Sequence, residues 1–129
     1  MVARDIMTKR VITVTPLTSV KELAKIMSKN KISGTPVVDK KGKVLGIVSE
    51  ADIVAKRGTQ VKGIMSKNVI SVTDETPVEE IATVLTTHRF NRVPVMRQGK
   101  LMGIVSRADI IRAIAMGKHI AFHTPIYDL

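Results

Sequence analysis

At 129 residues the chain is long enough for one compact body or two half-domains, and such a chain buries about two-thirds of its unfolded surface without covalent staples. It has no cysteine, which excludes disulfides, thiolate nucleophiles and cysteine-based zinc sites together. Its 21 Lys/Arg against 11 Asp/Glu give a formal charge of +10, a field that attracts nucleic acid, acidic partners or phosphorylated small molecules, while two Phe, one Tyr and no Trp leave almost no stacking platform for single strands.

Val11 to Val14 is a short β-branched run and reads as a strand. Thr18 is then expected to cap a helix whose apolar residues Val20, Leu23, Ala24 and Met27 follow the i, i+3, i+4, i+7 pattern. Lys21, Lys25 and Lys29 share a stripe of that helix. Two strands follow, Pro36-Val37-Val38 and Lys43 to Val48, around a turn at Asp39 to Gly42 where Lys40, Lys41 and Lys43 crowd together. A second helix is expected from Glu50 to about Arg57, and Gly58-Thr59-Gln60 reads as a hinge.

From there the chain repeats itself. Ile6 to Thr15 returns as Ile64 to Thr73, and Gly46-Ile47-Val48-Ser49-Glu50-Ala51-Asp52-Ile53 returns as Gly103-Ile104-Val105-Ser106-Arg107-Ala108-Asp109-Ile110. The second copy predicts a strand at Val69 to Val72, then a helix capped by Thr76 with Pro77 at its first position and Val78, Ile81, Ala82 and Leu85 as its stripe. The strands Pro94-Val95-Met96 and Lys100 to Val105, around a turn at Gln98-Gly99, precede a helix from Arg107 to about Met116. Strand, helix, strand, strand, helix therefore occurs twice, which predicts an α/β fold of two repeats, 1–58 and 59–116, each burying its apolar face against the other. The remainder, 117–129, contains Pro125 and is expected to be extended, docked or frayed. No apolar run approaches the ~20 residues of a membrane span and no signal-peptide core is visible, so a soluble, cytoplasmic protein is expected.

The chemistry concentrates in Gly-Ile-Val-Ser-x-Ala-Asp. A buried strand ends in serine and a helix begins at once, so free N–H groups beside a hydroxyl offer an anion site. An aspartate one turn in can accept two hydrogen bonds from a ribose diol, and Gly46 permits a close approach. Ser-x-x-Asp is equally a capping box that serves only its own helix. No catalytic constellation emerges. His88, His119 and His123 are the only imidazoles and none accompanies a nucleophile and an orienting acid. His119 and His123 are spaced to hold a metal on one helix face, but Pro125 and the lack of further ligands favour a frayed tail, and no metal is expected. Asp74-Glu75 and Glu79-Glu80 sit where acids complement a helix dipole. With no phosphate-binding glycine loop either, a protein without enzymatic activity is expected.

Asp5-Ile6-Met7, Pro36-Val37-Val38-Asp39 and the two Gly-Ile-Val-Ser-x-Ala-Asp runs resemble CBS domains, named for cystathionine β-synthase, and 1–116 resembles a tandem pair of them. The resemblance implies β-α-β-β-α repeats with pseudo-two-fold symmetry and a stand-alone regulatory ligand sensor. It also implies that AMP, ADP, ATP or S-adenosylmethionine binds in clefts between the repeats, and that a homodimer forms through the helices. Carried over, Ser106 and Asp109 would hold phosphate and ribose while Met7, Ile12, Ile32, Ser33 and Ile104 enclose the adenine. In a second cleft Ser49 and Asp52 would hold the sugar-phosphate, with Met65, Ile70, Phe90, Asn91 and Ile47 around the base. Arg92 aligns with Gly34, and the resemblance implies that it grips phosphate in one cleft only. The alternative is a basic nucleic-acid-binding protein regulated by nucleotide, favoured by charge concentrated in 1–58: twelve Lys/Arg against five Asp/Glu, where 59–116 carries eight against five.

Overall fold

The computed structural model describes residues 1–117; the tail with His119, His123 and Pro125 lies outside the described residues. In chain order the elements are α1 (Ala3–Ile6), α2 (Val20–Asn30), β1 (Gly34–Val38), β2 (Val44–Ser49), α3 (Glu50–Ala55), a 3-10 turn (Val61–Gly63), α4 (Val78–His88), β3 (Arg92–Arg97), β4 (Lys100–Ser106) and α5 (Arg107–Ala115). Strands β1 and β2 pair antiparallel, Gly34 opposite Ser49, and β3 pairs with β4. The second hairpin turns in two residues, Gln98 and Gly99, both at positive φ, the geometry that matches strand twist.

The expected strands at Val11 to Val14 and Val69 to Val72 shrink to single parallel bridges, Val14 to Val37 and Val72 to Val95. Proline explains the shrinkage. Val14 donates to the Pro36 carbonyl and accepts from Val38, so lengthening that ladder requires N–H groups at Pro36 and Pro16, which have none. The Ile12 carbonyl that Pro36 leaves unserved accepts from the Thr35 hydroxyl at 2.6 Å. Pro94 truncates the second ladder in the same way.

Helix starts also shift. Ser19, not Thr18, caps α2 by accepting from Glu22 N–H, while Thr18 Oγ1 accepts from Thr15 N–H in the preceding turn. Thr76 likewise serves Thr73, and Pro77 is the cap position of α4 rather than its first turn. Glu79 and Glu80 do occupy the first turn of α4. Asp74 does not complement a dipole: buried, it takes a two-pronged contact from Arg97 (3.2 and 2.6 Å) and a longer one from Arg4 (3.8 Å).

The chain forms two compact units that do not follow the repeat boundary at 58/59. Among the described residues the first unit comprises Met1–Arg10, Ser71–Arg97 and 102–117; the second comprises Val11–Ile70 and Gln98–Leu101. Each has its own core. Ala3, Val78, Ile81, Leu85, Val93, Val95 and Val105 fill the first, and Leu23, Met27, Val37, Val48, Val61 and Ile64 fill the second. The opening ten residues join the second repeat because their backbone bonds there: Ala3 N–H to the Thr76 carbonyl, Arg4 N–H to that of Asp74, and Val78 N–H to that of Met1.

Two glycines permit the tightest approaches. In the first unit Thr8 and Ile104 exchange two backbone hydrogen bonds (2.8 and 2.9 Å), and in the second Ser66 and Ile47 do the same. A β-carbon on Gly103 would stand 2.8 Å from the Thr8 carbonyl oxygen, and one on Gly46 would stand 2.6 Å from that of Ser66. The close approach expected at Gly46 is thus made by backbone of its own unit. Gly103→Ala and Gly46→Ala are each expected to destabilise the protein by about 1–3 kcal/mol in chemical denaturation, through overpacking against backbone. Gly63→Ala, whose β-carbon meets nothing closer than 3.9 Å, is expected to cost less than either.

Candidate functional site

Strand alternation separates the core from a second face. In β2 Val44, Gly46 and Val48 are buried while Leu45, Ile47 and Ser49 are half-buried; in β4 Gly103 and Val105 are buried while Ile104 and Ser106 are half-buried. Each strand therefore ends by presenting isoleucine and serine together on the face turned away from its core. The crossing segments bring a methionine beside each glycine, Met7 at Gly103 and Met65 at Gly46. The same aliphatic, sulfur and hydroxyl set is built once in each unit.

The aspartate one turn on is held firmly. Asp109 Oδ2 accepts from Ser106 N–H (2.8 Å), and Asp109 N–H donates back to Ser106 Oγ (3.1 Å). Its other oxygen accepts from Arg112 Nη1 (3.0 Å) and Thr8 Oγ1 (3.5 Å). In the second unit Asp52 Oδ2 accepts from Ser49 N–H (2.9 Å) and Asp52 N–H donates to Ser49 Oγ (3.3 Å), while Lys56 Nζ lies 2.8 Å from Oδ1. Both motifs are capping boxes, so the structural role anticipated for Ser-x-x-Asp is realised twice.

The first-turn N–H groups expected to stand free are mostly engaged. Glu50 N–H donates to the Ser33 carbonyl and Arg107 N–H to that of Asn91, both at 2.9 Å. What remains exchangeable on each carboxylate is the cation. The Arg112 side chain is 64% exposed and that of Lys56 46%, so each is a weak surface pairing whose loss leaves the cap bonds intact. Lys56 and Arg112 were not singled out in the sequence, although their i+4 and i+3 spacing from the aspartates is the signal that finds them.

A CBS-domain model matches twice, at 3–58 and 61–116, over most of the chain. The chain belongs to the CBS-domain family. Among solved CBS-pair structures, CBSX2 of Arabidopsis thaliana in complex with AMP is 31% identical, covering 92% of this chain and 98% of that one with a TM-score of 0.86. The CBS domain pair of protein MJ0100, in complex with 5′-methylthioadenosine and S-adenosyl-L-methionine, is 33% identical over 92% and 98% of the two chains with a TM-score of 0.80. A zinc metalloprotease of Methanocaldococcus jannaschii is 40% identical over 114 residues, 88% of this chain but 32% of that protein. This CBS pair spans about a third or less of the first curated relatives it matches.

The candidate CBS residues divide by unit. Met7, Phe90, Asn91, Arg92, Ile104, Ser106 and Asp109 belong to the first; Ile12, Ile32, Ser33, Ile47, Ser49, Asp52, Met65 and Ile70 belong to the second. Hydrogen bonds join Ser33 to α3 and Asn91 to α5, whereas the sequence assigned Ser33 to the set of Ser106 and Asn91 to that of Ser49. Phe90 stacks on His88 with ring centroids 5.3 Å apart, and its carbonyl accepts from Arg107 Nε. Arg92 Nε is buried and has no hydrogen-bond partner among the described residues, an orphaned donor on a residue expected to meet phosphate.

Among the described residues no group of three or more His, Asp or Glu side chains is arranged to hold a metal, and no helix is long and apolar enough to cross a membrane. Asp109→Ala and Asp52→Ala are each expected to lower stability by about 1–2 kcal/mol through loss of the cap. Arg112→Ala is expected to cost less, because its pairing is mostly exposed. Thermal denaturation of the three variants checks the order.

Proposed function

We propose that this chain is a regulatory module, without catalysis of its own, that binds an adenosine-containing ligand: AMP, ADP, ATP or S-adenosylmethionine. The carrying observation is the repeated set of half-buried isoleucine, methionine beside glycine, serine and aspartate, in a chain that shares its fold with CBS pairs solved with AMP and with S-adenosyl-L-methionine. Adenine asks for an aliphatic slot with a few polar groups, which Met7 and Ile104 offer in one unit and Met65, Ile47 and Ile70 in the other. Ile12, Ile32, Ser33, Phe90 and Asn91 complete the proposed contacts. The ribose diol takes the Asp109 or Asp52 oxygen now paired with Arg112 or Lys56, and Ser106 and Ser49 lie beside the sugar-phosphate.

Arg92 is the proposed source of phosphate preference. An orphaned guanidinium N–H gains a charge-assisted bond when phosphate arrives, and Gly34 at the aligned position has none to offer. Titration calorimetry is expected to register binding of at least one of the four ligands. Asp109→Asn or Asp52→Asn weakens it about tenfold or more, the loss of a hydrogen bond to a charged group. Arg92→Met weakens AMP while leaving S-adenosylmethionine, which has no phosphate, unchanged. Absence of heat with all four ligands sinks the proposal.

Binding acts on a partner only through its differential affinity for two states of the module. The proposed route outward is a homodimer through the helices. Val54 on α3 is 87% exposed and Ile111, its equivalent on α5, 65%, so both repeats carry a large apolar side chain into solvent at one position. In sedimentation velocity the wild type is expected to run as a dimer, and Val54→Glu with Ile111→Glu as a monomer.

A further inference from the structure

The basic charge is not shared evenly. The second unit carries eleven Lys and one Arg against four acids, while the described residues of the first carry one Lys and seven Arg against six. Four of the second unit's lysines, Lys40, Lys41, Lys43 and Lys100, come from the turns of two hairpins, and Lys43 and Lys100 bridge those turns. Val44 N–H donates to the Gly99 carbonyl (2.9 Å) and Leu101 N–H to that of Gly42 (3.3 Å). These bonds flank Lys43 and Lys100, making them a directly opposed antiparallel pair of the narrow, non-hydrogen-bonded kind. Like charges at such a pair repel across about 5 Å between β-carbons. The Lys43 side chain runs along Gly99, and all four lysines are exposed.

One carboxylate, that of Asp39, offsets them only in part. It accepts from the backbone N–H groups of Lys43 and Lys41, and these bonds, with the nearby Lys43 and Lys41 charges, hold its pKa below the usual carboxylate value. Among the described residues none of the four ammonium groups is in an ion pair. An opposed like-charge pair that makes no ion pair is a standing cost that a polyanion removes.

We propose that this lysine knuckle docks the phosphate backbone of a nucleic-acid duplex. Ammonium groups on flexible stems are point charges that meet phosphates without reading bases. The second unit contains no Phe, Tyr, Trp or His, so it offers no platform on which unpaired bases stack, and a duplex is favoured over a single strand. Protein partners are anchored by aromatic and arginine side chains, and the two turns of the knuckle, Asp39 to Lys43 and Gln98 to Lys100, supply neither. The inference stands independently of the adenosine site.

Fluorescence anisotropy of the full chain with a labelled DNA duplex of about 20 base pairs, between roughly 50 and 200 mM salt, tests it. Affinity is expected to fall steeply with salt. Replacing Lys40, Lys41, Lys43 and Lys100 by Gln weakens binding at least about tenfold and lowers the magnitude of the log–log salt slope by about 3. Replacing Lys21, Lys25 and Lys29, charges of the same unit on α2, leaves the slope nearly unchanged. Lys43→Glu, which turns the opposed pair into an attractive one, raises the Tm while weakening the duplex complex. Equal losses from the two sets of replacements, single strands binding as tightly as duplex, poly-glutamate competing as well as DNA at equal charge, or Lys43→Glu with a lower Tm and undiminished binding each overturn the proposal.

Discussion

Two antiparallel crossings, Thr8 with Ile104 and Ser66 with Ile47, are the constraint on which both units are built. Each is only one residue pair long, and each is possible because the strand residue beneath the incoming carbonyl is a glycine. The crossing seats a methionine over that glycine and closes one side of a half-buried face. It also decides which piece of chain belongs to which unit. The leader of the first repeat, Met1–Arg10, folds with the second repeat, and residues 61–66, which open the second repeat, fold with the first. A fragment ending at residue 58 would therefore keep the first repeat's helices and hairpin but lose Val61 and Ile64, two of the most buried side chains of its core.

Much of this was legible in the sequence, and the reasons for the remainder are specific. Hairpins and helix bodies are local, and periodicity with turn residues located them within a few positions. Caps moved because Thr18 and Ser19 are adjacent hydroxyls, and only the position of the preceding turn decides which of them faces the helix. The opening strands are shorter than their sequence suggests because a β-branched run records propensity, whereas ladder length depends on N–H groups that Pro16 and Pro36 lack. The exchange of leaders could not be read from similarity at all. Self-similarity marks the unit of duplication, and contacts mark the unit of folding; here the two are offset by the leader's length.

The Ser-x-x-Asp motif shows why one residue can support two readings. Its serine and aspartate complete a cap in both units, yet a carboxylate has more acceptor capacity than a cap uses. The surplus at Asp109 and Asp52 is occupied by an exposed arginine and an exposed lysine. A group fixed by its own helix and paired outward with a displaceable cation is better oriented for a hydroxyl than one free to rotate, because little rotamer freedom remains to be lost on binding. Capping and the proposed recognition then make successive demands on different oxygens and are not rival explanations.

The division of cations between the units follows the same logic of environment. Arginine prevails where charge meets a carboxylate or a backbone carbonyl: Arg97 and Arg4 grip Asp74, Arg112 grips Asp109, and Arg107 reaches the Phe90 carbonyl. A planar fork rewards such fixed geometry. Lysine prevails in the second unit, where most of the charge has no carboxylate to meet. Solubility alone has no need to gather lysines from two hairpins onto one opposed pair, since spreading them lowers repulsion for the same net charge. Charge that is concentrated, flexible and outside any ion pair suits the proposed docking to a surface that supplies anions in a row.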